Sequence, residues 1–174
     1  MCETGIAVCP PFDLMHTAKN INQGASRLYE HMFLQDIKQT YMKKAEAGVT
    51  TSEVIDTLHE IQTLIDLDER ITAPLHGFES LDQYYEESSC IAYLKTIRKP
   101  TTIIVAKNDP VIDYTLLPTK EDLSRQTQME IYEEGGHVGF MSGSIHDPYY
   151  WLDDRIMEHL SEYLPLGILE HKVD

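Results

Sequence analysis

"TTIIVAKNDP", residues 101–110, is a β-branched apolar run that begins after Pro100 and stops at a lysine, an asparagine and an aspartate before proline. A run of this length, rich in Thr, Ile and Val, predicts a buried strand with a loop at its carboxyl end. Two further stretches read the same way. "GIAVC" at 5–9 is a short continuous apolar run closed by Pro10 and Pro11, and "MEIYEE" at 129–134 is a weaker one ending at Gly135 and Gly136. These are the three predicted strands.

Between them the periodicity is helical. Tyr29, Phe33, Ile37 and Tyr41 repeat every four residues. Thr51 or Ser52 can cap a second helix carrying Val54, Ile55, Leu58, Ile61, Leu64 and Ile65. Tyr84 to Ile97 suggests a third helix, and "PTKEDLSRQ" at 118–126 a short fourth. The last helix is expected to start at Asp147 as N-cap with Pro148 in its first turn, to bury Leu152, Ile156, Leu160 and Leu164, and to end at Pro165 and Gly167. Apolar strands alternating with helices argue an α/β fold with a parallel sheet. The whole of 1–174 reads as a single domain. Its stretch 15–97 is too long for a simple crossover and is expected to hold a helical, lid-like insertion.

Composition excludes more than it assigns. With 29 Asp plus Glu against 14 Lys plus Arg, a formal charge of −15 repels phosphate backbones and anionic lipid surfaces. No nucleic-acid partner and no stable membrane insertion are expected, since no apolar stretch approaches the roughly 20 residues of a spanning helix. Cys2, Cys9 and Cys90 form neither an even set nor a C-x-x-C pair, which points to a reduced, cytoplasmic setting without disulfides. The opening "MCETGIAVCPP" has neither the basic region nor the apolar length of a signal peptide. The other histidines, among them His16, His31, His59 and His76, show no paired metal-ligand spacing, so no metal and no cofactor are expected.

Chemistry in a parallel sheet gathers at the carboxyl ends of the strands. There the sequence places Asp13, Asp109 and His137. A carboxylate behind one strand and an imidazole behind the next are the parts of a charge-oriented general base. Each also has a plainer use. His137 can be a turn histidine beside two glycines, Asp109 a turn or capping aspartate before Pro110, and Asp13 the N-cap of "LMHTAKN". Tyr84, Tyr85, Tyr149, Tyr150 and Trp151 can line an acyl pocket or, at helical spacing, simply pack.

"AKNDPVID", "EEGGHVGFMSG" and "YYWLDDRIMEHL", together with "AVCPPFDL", "YEHMFL" and "DERITAPLHGFESLDQYYEESS", resemble the C-terminal half of the α/β-hydrolase superfamily, in its YheT-like branch of esterases and acylglycerol-lipase-like proteins. The resemblance runs from about residue 5 to 164. It implies that Asp109 is the acid and His137 the base of a Ser-Asp-His triad, with Asn108 standing where the family's motif has a second aspartate. It also implies a nucleophilic serine in a G-x-S-x-G elbow, on a strand preceding that at 5–9. No such motif occurs here: "GASRL" at 24–28 lacks the second glycine, and "GFMSG" at 139–143 follows the histidine.

The function implied is carboxylic ester hydrolysis on a small ester or lipid-like substrate, with the serine supplied from elsewhere and the chain inactive alone. A non-catalytic remnant and an interaction module are the competing readings. Without its elbow-strand neighbour, "GIAVC" is expected to be an exposed sheet edge that invites self-association.

Overall fold

Pro100 ends one segment, and the β-branched run after it becomes the central strand of a three-stranded parallel sheet. Its strands are β1 (Gly5–Val8), β2 (Thr101–Ala106) and β3 (Thr127–Tyr132), in the spatial order β1-β2-β3. β2 pairs with both neighbours, Val8 opposite Ile104 and Ala106 opposite Tyr132. A strand flanked on both sides and covered on both faces must be apolar throughout rather than alternating. Accordingly Thr102, Ile103, Ile104, Val105 and Ala106 are all buried. The computed structural model describes residues 2–144 and 146–163, and the predicted positions of Leu164, Pro165 and Gly167 lie outside the described residues.

The remaining elements are mostly helical: α1 (Leu14–Ile21), α2 (Arg27–Glu46), α3 (Ser52–Glu60), α4 (Leu64–Leu67), α5 (Ala73–Leu75), α6 (Leu81–Ser88) and α7 (Trp151–Ser161). A π-helical turn, Asp68–Thr72, joins α4 to α5. The architecture is α/β with a parallel sheet and flanking helices, as the sequence predicts. No described helix is long and apolar enough to cross a membrane.

The chain forms two compact units, Met1–Pro10 with Ile91–Asp174, and Pro11–Cys90. The second is helical. Its core joins Leu34, Leu58, Ile61, Leu67 and Ile71, with Ile37, Tyr41, Val54, Ile55 and Leu64 packed against them. Side-chain caps set the starts of α1, α3, α4 and α6. Asp13, Thr51, Thr63 and Ser80 accept hydrogen bonds from the backbone N–H of His16, Val54, Asp66 and Gln83, and Thr63 with Asp66 completes a capping box. That capping box corrects the predicted second helix. Ile61 leaves helical geometry and Thr63 starts a new helix, so Val54 and Ile65 lie on different helices. Lys38 stabilises the break, its Nζ donating to the carbonyl of Ile61 at 2.7 Å. The third predicted helix, 84–97, begins earlier, at Leu81, and ends at Ser88. A 3-10 segment (Cys90–Thr96) follows it.

In the sheet unit, two further expectations fail. Residues 118–126 form turns rather than a helix, because Asp122 accepts from the backbone and hydroxyl of Thr119 at 2.9 and 2.6 Å and closes the chain locally. Asp147 and Pro148 do not start the last helix either. They lie in β5 (Asp147–Tyr150), antiparallel to β4 (Met141–Ser144), and α7 starts at Trp151. The Asp-Pro pair carries a helix-start signal, but proline is equally at home in an edge strand. Once formed, α7 is fastened to the sheet. Arg155 pairs with Glu130 of β3, holding that carboxyl below its usual range. His159 is buried between Thr4 and Thr102. Thr4 spends its hydroxyl hydrogen on the carbonyl of Pro100 at 2.9 Å, so the imidazole Nε2–H donates to Thr4 at 2.8 Å.

Candidate functional site

Three strands ending side by side bring three loops together within the sheet unit. Immediately after β2, the peptide turns, with the N–H of Asp109 donating to the carbonyl of Ala106 at 3.3 Å. Asp109 then folds its carboxylate back over its own loop: Oδ1 accepts from the N–H groups of Val111 and Ile112 at 2.7 and 3.1 Å. This is the local turn use expected of an aspartate before proline. It occupies one oxygen only. Oδ2 faces the imidazole of His137, 3.0 Å from Nδ1, and the Asp109 side chain is 1% exposed against 23% for His137. One oxygen thus serves the turn and the other contacts the imidazole.

His137 is carried to that position by the glycine pair. Gly135 packs so tightly that a Cβ there would lie 2.6 Å from the Phe140 ring and 2.9 Å from the Cβ of Ala106. Gly136 has φ +63°, in the left-handed region that glycine enters without steric cost. Asn108 clamps the turn from the neighbouring loop, its Oδ1 accepting from the N–H of Gly135 at 2.9 Å and of Gly136 at 2.8 Å. Asn108 thus supplies an acceptor that ties the β2 loop to the β3 loop. Phe140, fully buried, closes the turn by donating its N–H to the carbonyl of Gly135 at 2.7 Å. Trp151 packs edge-on against Phe140, and Tyr132 packs against both rings.

The residue that sequence reasoning missed is Cys9. It follows β1, where its N–H donates to the carbonyl of Ile104 at 2.8 Å, continuing the sheet by one rung. Its φ of +44° is unusual for a non-glycine residue; among the described non-glycine residues only Phe140 shares a positive φ, at +41°. Such backbone strain concentrates where the fold fixes a side chain in place. The buried thiol donates to the Asp109 carboxylate, and its sulfur lies 3.8 Å from the carbonyl oxygen of Gly136. Burial, then the hydrogen bond and charge of Asp109, push its pKa up to about 12. A thiol held protonated against a carboxylate is a poor nucleophile. Sγ, a carboxylate oxygen and an imidazole nitrogen all lie within 4.8 Å of one another. A cysteine at the carboxyl end of a predicted strand was the available signal.

The other candidates go elsewhere. Asp13 is the N-cap of α1 and pairs with His16 at 3.0 Å, within the helical unit. Burial alone would raise its carboxyl, but the His16 hydrogen bonds and charge outweigh it and lower the pKa. Tyr85 is buried and donates to Asp68 at 2.9 Å, with Tyr84 against its ring. Tyr149 and Tyr150 are exposed on β5, while Trp151 packs as described.

No family model matches the chain. Individual proteins do. The candidate esterase YheT of Escherichia coli (strain K12) is 34% identical over 163 residues, covering 93% of this chain and 48% of that protein. Human monoacylglycerol lipase ABHD2 is 26% identical over 172 residues, covering 88% of this chain and 40% of the relative. Abhydrolase domain-containing protein 2 of Drosophila melanogaster is 29% identical over 168 residues, covering 88% and 42%. The chain thus spans less than half the length of each of these relatives, a share that fits a C-terminal half. With a parallel sheet, flanking helices and matches over most of its length, the chain is a relative of the YheT-like esterases and acylglycerol lipases of the α/β-hydrolase superfamily.

Proposed function

We propose that Asp109 and His137 are the acid and base of a serine carboxylic-ester hydrolase acting on a small ester or lipid-like substrate. The observation that carries this reading is the 3.0 Å contact between Asp109 Oδ2 and His137 Nδ1, with the other carboxylate oxygen already fixed by two backbone donors. An ionised carboxylate only accepts, so Nδ1 carries the hydrogen and Nε2 presents its lone pair. Nε2 then takes the proton from a serine Oγ as that oxygen attacks the ester carbonyl. It returns the proton to the leaving alcohol, while Asp109 stabilises the intervening imidazolium. The relatives named as an esterase and as monoacylglycerol lipases support the same class.

The chain contains no G-x-S-x-G sequence, so the serine in this reading comes from another segment. β1 pairs only with β2 among the described residues, and its other edge is where a serine-bearing strand is proposed to add. The purified chain is expected neither to hydrolyse a p-nitrophenyl ester nor to react with a fluorophosphonate probe. Co-expression with a segment carrying an elbow strand is expected to yield both, and His137→Ala to lower turnover by about 10³-fold or more. Labelling of the chain alone that survives His137→Ala, or a co-expressed pair indifferent to that substitution, would sink the assignment.

A further inference from the structure

We propose that Cys9, Asp109 and His137 form a binding site for a divalent transition-metal ion of the zinc type. The three ligand atoms, a sulfur, a carboxylate oxygen and an imidazole nitrogen, come from the ends of three adjacent strands and lie within 4.8 Å of one another. Around a tetrahedral zinc, oxygen and nitrogen ligands sit about 3.3 Å apart and sulfur about 3.5 Å from either. The Asp109–His137 separation is already 3.0 Å, so shifts on the order of 1 Å would close the set. A mixed S, N and O set suits zinc and disfavours magnesium or calcium, which take oxygen alone.

The surroundings fit the same purpose. Asp109 Oδ1 is tethered by the N–H groups of Val111 and Ile112, an outer layer of hydrogen bonds that orients Oδ2 toward the ion. Cys9 is fixed from behind by its N–H on Ile104. His137 is the partly exposed member of the set, 23% exposed against 1% for Asp109, and gives the ion a way in. Charge balances simply. Zinc displaces the thiol hydrogen, which leaves as one proton; the carboxylate enters as the anion; and the imidazole stays neutral, its hydrogen moving from Nδ1 to Nε2. Zinc competes with that proton for the sulfur, so binding weakens at lower pH. Because the ion uses Oδ2 and Nδ1, it excludes the hydrogen bond of the proposed relay. Metal binding itself does not depend on that relay being catalytic.

The test is titration of the full chain with zinc by calorimetry and with cobalt(II) by absorption. Expected are one ion per chain with a dissociation constant on the order of 1 μM, a thiolate-to-cobalt charge-transfer band, and one proton released, read from the dependence of the heat on buffer. Cys9→Ala should remove the band and weaken binding at least about tenfold, with folding checked by circular dichroism. The double substitution Cys2→Ser with Cys90→Ser should leave both unchanged, and exposed-side His137→Gln should weaken the ion without unfolding the chain. Absence of binding to the intact chain at about 100-fold that concentration, a band that survives Cys9→Ala, or one lost in the Cys2/Cys90 variant would each overturn the proposal.

Discussion

Asp109 in the sheet unit and Asp68 in the helical unit are both aspartates withdrawn from water, and the chain surrounds them with different partners. Asp109 receives two backbone N–H groups, an imidazole and a thiol, each fixed by a strand end or a tight turn. Asp68, half-buried in the π-helical turn, receives the hydroxyls of Tyr85 and Thr72. Burial outweighs those two bonds and raises its carboxyl above the usual range. The same burial, with Asp68's charge beside it, drives the Tyr85 hydroxyl well above its ordinary value. The lesson is that burial alone does not make an aspartate useful. A carboxylate supported by backbone donors from its own loop keeps one oxygen for a partner. One supported by side-chain hydroxyls is a compromise within a packed core.

The comparison can be broken most directly at Asp109. Asp109→Ala leaves the N–H groups of Val111 and Ile112 buried without an acceptor and is expected to cost about 2–4 kcal/mol. Asp109→Asn, which keeps a carbonyl oxygen for them, should cost clearly less. Urea denaturation of both variants measures the difference, and equal losses would mean that the loop does not depend on those bonds. Next in size is the support behind His137. Gly135→Ala must push Phe140 and Ala106 apart and is expected to cost about 1–3 kcal/mol, with a shifted imidazole resonance in the NMR spectrum. An unchanged stability would show that the aromatic packing against this turn is loose.

The smallest effect belongs to Asp68 and has the opposite sign. Its carboxyl is raised on folding, so its favourable contribution is complete below the ordinary aspartate value. That contribution is lost as pH rises through the raised folded-state value. At neutral pH the ionised form is therefore a burden, and Asp68→Asn should stabilise the chain by on the order of 1 kcal/mol. The gain should vanish toward pH 3. Thermal melts across that range check it, and a destabilised variant at pH 7 would show that the Tyr85 and Thr72 bonds outweigh burial.

Legibility differed between the two units for physical reasons. β2 was plain because a central parallel strand is apolar at every position, a signal that survives without knowledge of its neighbours. Asp109 and His137 were legible because each stands beside a residue with a local conformational role, proline or glycine. The helical unit was legible in its apolar periodicity but not in its breaks, since Thr63 competes with helix continuation through a cap that periodicity does not register. Asp147-Pro148 shows the converse: a strong local signal lost to strand pairing between Met141–Ser144 and Asp147–Tyr150. Asn108 had no local signal of function, and the only one for Cys9 was its place at the carboxyl end of a predicted strand.

By itself the sequence determined three strands, the acidic surface and the pair of residues at two strand ends, because these depend on composition and near neighbours. The tertiary structure alone decided that Cys9 joins them and that Asn108 clamps the glycine turn. Both follow from register. Val8 opposite Ile104 and Ala106 opposite Tyr132 set where three loops emerge, and the contacts of Cys9 with Asp109 and of Asn108 with Gly135 and Gly136 exist only once that pairing is made.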